Sequence, residues 1–227
     1  MTGRREASGP SPAMPCAVGR RKDFAMELSP MQLDILQELI NIGVGRAAGM
    51  LNRMVNTHIQ LQVPELLVLS AQDLINRYDA RRKEFFSAVQ LTFSGHFSGL
   101  SALIFPPDSA SRLVSIILGN SVIAPEEVDA MRVETLQEVG NIVLNGVMGS
   151  IGNILKETIV FSSPDYVEER FEKLVLFGED TASEAMVLMA RTQFTIKDHL
   201  IEGEVLILFS LASFDTLLDA IDGLVAG

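Results

Sequence analysis

The sequence predicts an α+β domain with pseudo-twofold symmetry, in which two long helices lie against shared β-sheet. Three observations carry the prediction. Two segments match each other when shifted by 100 residues. Each copy opens with an apolar stripe of helical period, and each continues into β-type runs that form hairpin pairs. The first segment holds Leu33, Asp34, Leu36, Gln37, Glu38, Asn41, Ile42, Val44, Ala47, Gly49, Leu51 and Met54. The second holds Val133, Glu134, Leu136, Gln137, Glu138, Asn141, Ile142, Leu144, Val147, Gly149, Ile151 and Ile154, and Pro64 aligns with Pro164. Apolar, charged, amide, glycine and proline positions coincide without a gap. The body is therefore a duplication, with halves at about 28–120 and 124–225, and two such half-units can pair their strands into shared sheet.

The elements follow in order. Ser29 is the expected N-cap of the first helix, with Pro30 at its first position and Gln32 completing a capping box. Positions 33, 36, 40, 44, 47, 51 and 54 step by three and four and form one apolar stripe. In the second copy Pro125 opens the helix, Glu126 and Glu127 suit its N-terminus, and positions 133, 136, 144, 147, 151 and 154 repeat the stripe. Gly140 interrupts it where the first copy has Ile40. Candidate strands follow at Thr57–Ser70 and Glu157–Ser163, with Pro64 and Pro164 suited to strand starts, edges or bends. Further strands are expected at Phe86–Ser94, Phe97–Phe105, Ala185–Phe194 and Gly203–Leu211. Asp108–Leu118 and Ser213–Leu224 read as closing helices, the first ending at Gly119. Each half is thus a long helix, three strands and a final helix. Asp73–Tyr78 fits a short helix, and Asp165–Asp180 fits helix or strand.

Composition removes several function classes. The 227 residues carry a formal net charge of −11. Five basic and two acidic residues leave the first 25 at +3, so the other 202 carry −14. A body that acidic repels a phosphate backbone, and no basic stripe offsets it, so nucleic acid is not an expected partner. No apolar run reaches the roughly 18–20 residues of a membrane span. The single cysteine, Cys16, cannot form an internal disulfide and fits a reducing compartment. A cytoplasmic domain is the expectation. Residues 1–25 are rich in Gly, Pro, Ser and Arg without apolar period, and read as a disordered tail; equally, translation can begin at Met26. The stretch lacks the apolar core of an export signal. The folded domain is expected over 26–227.

The outward faces of the long helices are less ordinary. At about 3.6 residues per turn, Glu38 and Asn41 lie roughly 60° apart with Asp34 between them, turned away from the stripe. The second helix repeats the line as Glu134, Glu138, Asn141 and Asn145. Glycines cluster beside both (Gly43, Gly45 and Gly49; Gly146 and Gly149) and read as a sterically open surface. One Glu and one Asn on an exposed helix make an ordinary solvated face. Asn is a mediocre helix former, however, and a helical glycine costs up to about 1 kcal/mol relative to alanine. Their recurrence in both copies points to close approach of another backbone, inside the fold or in a partner.

The spacing (Asp/Ser)-x3-Glu-x2-Asn-x22-Pro resembles the signature of the CheC/CheX/FliY chemotaxis phosphatases. It stands here as Asp34, Glu38, Asn41, Pro64 and again as Glu134, Glu138, Asn141, Pro164. The resemblance extends over about 28–225, and two copies in one chain look most like CheC. Glu134 departs from the Asp or Ser that the family prefers. The resemblance implies a CheC-like fold and hydrolysis of the phosphoaspartate on a CheY-like response regulator. It implies that Asn41 and Asn141 orient the attacking water and that Glu38 and Glu138 contact a regulator lysine. Asp34 and Glu134 would be partner-binding, and Pro64 and Pro164 structural. No cofactor of its own is implied, because the regulator supplies Mg²⁺. A CheD-like deamidase is a further partner the resemblance raises. The alternative is a non-catalytic docking module for a regulator, a CheD-like deamidase or the flagellar switch. A monomer is expected, since duplication already supplies the pseudo-symmetric half.

Other signals lead nowhere. Gly43–Gly49 has one residue too many for a dinucleotide loop and lies mid-helix. His58, His96 and His199 lack ligand spacing, so no metal site is expected. No serine stands in a nucleophile elbow, and Arg81, Arg82 and Lys83 read as a short solvated run.

Overall fold

The computed structural model describes residues 28–55, 58–78, 84–119, 128–176 and 185–226. The expectations for residues 1–25, Pro125–Glu127 and Arg81–Lys83 lie outside these residues. The elements run α1 (Pro30–Val55), β1 (Ile59–Ser70), α2 (Ala71–Arg77), β2 (Phe85–Gly95), β3 (Gly99–Phe105) and α3 (Pro107–Leu118). The second half continues α4 (Val128–Leu155), β4 (Ile159–Phe161), β5 (Asp165–Arg170), α5 (Phe171–Val175), β6 (Met186–Ile196), β7 (His199–Phe209) and α6 (Leu211–Ala226).

The capping box at the head of α1 forms as the sequence requires. The Gln32 N–H donates to Ser29 Oγ at 3.2 Å, and the Ser29 N–H donates to Gln32 Oε1 at 2.9 Å. Both bonds satisfy donors that a helix start leaves open. The Gln32 amide nitrogen also donates to Asp222 at 3.0 Å, which ties the head of α1 to the tail of α6. At the other end, Asn52 Oδ1 accepts from the Ile59 N–H and sets the entry into β1.

Seven strands form one sheet in the order β1-β6-β7-β3-β2-β4, with β5 also paired to β2. β3 and β7 meet antiparallel at the centre, Gly99 opposite Phe209 and Ile104 opposite Glu204. The outer strands are exchanged between halves: β1 of the first pairs with β6 of the second, and β4 and β5 of the second pair with β2 of the first. Neither half owns a complete sheet. The hairpin β6–β7 turns on Lys197 and Asp198, both at positive φ (48° and 67°), as a two-residue turn of the twist-compatible kind requires.

Alternation along the strands builds two cores. Val89, Leu91, Phe93, Val205, Ile207 and Phe209 face α1, α3, α4 and α6. Ala88, Leu100, Ala102, Met189, Leu206 and Leu208 face the short helices α2 and α5.

Several boundaries differ from the sequence-based expectation. The second half has four strands rather than three, because the strand that is continuous as β1 is broken into β4 and β5 around Ser162–Pro164. In β1 the same stress is absorbed by a register shift between Gln62 and Glu65, at Pro64, on the sheet edge where a missing N–H is tolerated. Leu211 opens α6 instead of ending a strand, and β7 starts four residues early at His199. Leu33 and Met54, at the ends of the stripe, stay more than a third exposed, while Leu39 and Gly43 join the buried face.

The glycines divide. Gly43 and Gly146 do not belong to an open surface, because they form the crossing of α1 and α4. A Cβ at Gly43 would stand 2.5 Å from Val147 Cα, and one at Gly146 would stand 3.0 Å from the Gly43 carbonyl oxygen. Gly45 and Gly149 do face open space. Gly140, opposite Ile40 in the repeat, is small because Val89 of the sheet fills its place.

Candidate active site

The paired helices α1 and α4 each keep one face on the sheet and turn the other outward. On α1, Asp34, Glu38 and Asn41 are all exposed, and on α4 Glu134 and Glu138 are exposed while Asn141 is half-buried. Each Asn lies less than two turns before its helix's glycine at the crossing, Gly43 or Gly146, with its Glu three residues earlier. The crossing therefore fixes both pairs on one rigid two-helix unit. Arg46 Nη1 of α1 adds a hydrogen bond to the buried Ser150 of α4 at 3.1 Å.

The sequence grouped these residues correctly by helix and face. Of the two prolines, Pro64 lies within β1 and Pro164 in the break between β4 and β5, immediately before Asp165. What the sequence did not reveal is an asymmetry between the pairs. On α4 the Asn145 side chain donates from Nδ2 to Asn141 Oδ1 at 2.6 Å and to the Asn141 carbonyl oxygen at 2.8 Å. On α1 the equivalent position is Gly45, which has no side chain to do this. The signal was present as two amides one turn apart.

A second polar group lies on the opposite face of the sheet. Tyr78 donates its hydroxyl to the buried Glu204 carboxylate, and Arg191, which faces Glu204 across β6 and β7, bonds the same hydroxyl at 3.4 Å. Arg191 and Arg77 both reach Glu65. Burial, and then the Glu204 charge, push the Tyr78 phenol up to about 12, with Arg191 acting the other way. A cavity of about 400 Å³ opens beside these groups. Glu204 at the head of the apolar run 205–209 of β7 was the visible clue.

A carboxylate and an amide on an exposed, rigid helix can bind a cation and orient water, but hold no nucleophile or metal set of their own. Among the described residues no three His, Cys, Asp or Glu gather as a metal site, and no helix is long and apolar enough to cross a membrane.

Residues 31–68 match the family model described as the CheC-like family, a span that contains Asp34, Glu38, Asn41 and Pro64. The resemblance to the CheC/CheX/FliY family is borne out. The chain is 26% identical over 149 residues to the CheY-P phosphatase CheC of Bacillus subtilis, covering 65% of this chain and 71% of that one. Its fold is that of Thermotoga maritima FliY, with a TM-score of 0.65 and 19% identity over 86% of this chain and 98% of the other. It is also similar to a chain of the FliM–SpeE complex from H. pylori, with a TM-score of 0.63 and 11% identity over 87% and 97%. The expected CheC-like α+β fold is thus present.

Proposed function

We propose that this chain is a phosphatase for the phosphoaspartate of a CheY-like chemotaxis response regulator, working from Glu38/Asn41 and Glu138/Asn141. The observation that carries the reading is the recurrence of the Glu/Asn pair on the outward faces of two crossed helices. The name of the B. subtilis relative, a CheY-P phosphatase, supports the substrate class.

The chemistry asks for little covalent help. Phosphoryl transfer is mostly positioning and charge stabilisation. An Asn amide accepts one hydrogen bond from water and donates another to a phosphoryl oxygen, and so holds the water in line with phosphorus. Water's oxygen forms the new bond to phosphorus while the bond to the aspartyl oxygen breaks. The products are a free carboxylate and inorganic phosphate. Glu38 or Glu138 makes a charge-assisted contact to a regulator lysine and docks the helix, with Asp34 and Glu134 on the docking flank. Mg²⁺ comes with the regulator, and the chain acts as a cytoplasmic monomer.

Asn41→Ala with Asn141→Ala tests the assignment. Hydrolysis is expected to vanish while the circular-dichroism spectrum and regulator binding persist; near-normal turnover in the double variant would sink it.

A docking module is the second reading, favoured by the fold shared with a chain of the FliM–SpeE complex. A module of this kind has no chemical use for the amides, and the double variant would then leave every measurable property unchanged.

A further inference from the structure

Resting on the phosphatase reading above, we infer that Asn145 is a positioning residue that restrains the second site, so that Glu38/Asn41 carries most of the turnover. The two sites match in their Glu and Asn and differ four residues after the Asn. At the second site the Asn145 amide donates to both oxygens of Asn141, at 2.6 Å to Oδ1 and 2.8 Å to the main-chain carbonyl. Oδ1 has two lone pairs. Asn145 occupies one, and the double contact fixes the plane of the Asn141 amide. The oxygen that must accept from water is therefore already engaged, and the amide cannot turn to follow the water.

Gly45 reverses each point at the first site. A Cβ built there meets nothing within 4 Å, so the line of the helix beside Asn41 is bare. Asn41 is exposed, and no hydrogen bond to its side chain is present among the described residues, whereas Asn141 is half-buried. Asn145 projects about 40° from Asn141 and about 20° from Glu138 around α4, so its side chain also stands on the surface a regulator must approach. Glu138 keeps its exposure and hence its docking role. The restraint therefore acts on the step that orients water more than on binding.

That division gives a test in the full chain, with a phosphorylated CheY-type regulator and Mg²⁺. Asn41→Ala isolates the second site and Asn141→Ala the first. In the Asn41→Ala background, Asn145→Gly is expected to raise kcat about fivefold, the worth of releasing one ordinary hydrogen bond, with KM nearly unchanged. In the Asn141→Ala background, Gly45→Asn is expected to lower kcat by about the same factor, since the open space at Gly45 accepts the side chain without repacking. A purely structural Asn145 cannot produce the rise, because loosening a helix lowers activity and unfolding temperature together. Side-chain amide hydrogen exchange by NMR reads the contact without turnover: the Asn145 amide protons should exchange more slowly than those of Asn41. Equal exchange, or unchanged kcat in both backgrounds, overturns the inference. An inactive wild-type chain, or a fully active Asn41→Ala/Asn141→Ala chain, overturns the phosphatase reading itself and this inference with it.

Discussion

Gly43→Ala adds one methyl group at the crossing of α1 and α4. The new Cβ would lie 2.5 Å from Val147 Cα and 2.9 Å from the Gly146 carbonyl oxygen, while carbon atoms in contact settle at about 3.5–4.0 Å. Both neighbours are main-chain atoms and cannot rotate away, so the helices must separate by about 1 Å. A gap of that size forfeits about a quarter to a half of each contact across the seam. Overpacking costs about 1–3 kcal/mol, and the upper end applies against backbone. Alanine's helix propensity returns about 1 kcal/mol, which leaves a net loss of about 2 kcal/mol. Gly45→Ala carries the same propensity gain and meets nothing within 4 Å. The pair is therefore internally controlled. For a domain of this size 1 kcal/mol moves the unfolding temperature by about 2–4 °C. Gly43→Ala should lower it by about 4–8 °C and Gly45→Ala should raise it by a few degrees. Thermal unfolding followed by circular dichroism reads both. Equal stability of the two variants would refute the packing argument.

Two further outcomes follow from the cap and from the buried tyrosine. Ser29→Ala removes the hydroxyl that accepts from the Gln32 N–H and should cost about 1 kcal/mol, measured as a lowered urea midpoint at unchanged slope. Tyr78 is held neutral by burial and by Glu204, its pKa raised from 10.0 to about 12, and Tyr166 is raised chiefly by burial. A raised folded value means that Tyr78's contribution to stability is complete below pH 10 and lost as pH climbs through 12. The two-unit shift corresponds to about 2–3 kcal/mol. These are the chain's two tyrosines, so a Tyr166→Phe chain reports Tyr78 alone, and its near-ultraviolet absorbance should show no phenolate step near pH 10 while the fold persists. A step there contradicts the Tyr78–Glu204 arrangement.

The features legible in the sequence were those with local or repeated causes. Ser29, Pro30 and Gln32 announce their helix start through contacts three residues apart, and the β2–β3 and β6–β7 hairpins announce themselves through neighbouring strands. The Glu/Asn faces were legible because duplication printed the same pattern twice. The exchange of β1 with β4 and β5 was not, because pairing across 64 to 137 residues leaves no local mark. The break between β4 and β5 was hidden for a different reason: Pro64 and Pro164 are equivalent in sequence, and only the pairing partners decide whether the strand bulges or splits. The glycines were separable in principle. A helical wheel sets Gly43 about 140° from Glu38, on the buried side, and Gly45 about 20° from it. Counting them together concealed that one serves the crossing and the other leaves the site open.

The most direct test of the central claim is loss of phosphate from a phosphorylated CheY-type regulator in the presence of Mg²⁺, with the chain at substoichiometric concentration. Multiple-turnover acceleration that disappears with Asn41→Ala and Asn141→Ala together is the predicted result. Regulator binding without any acceleration would contradict it and leave the chain a docking module.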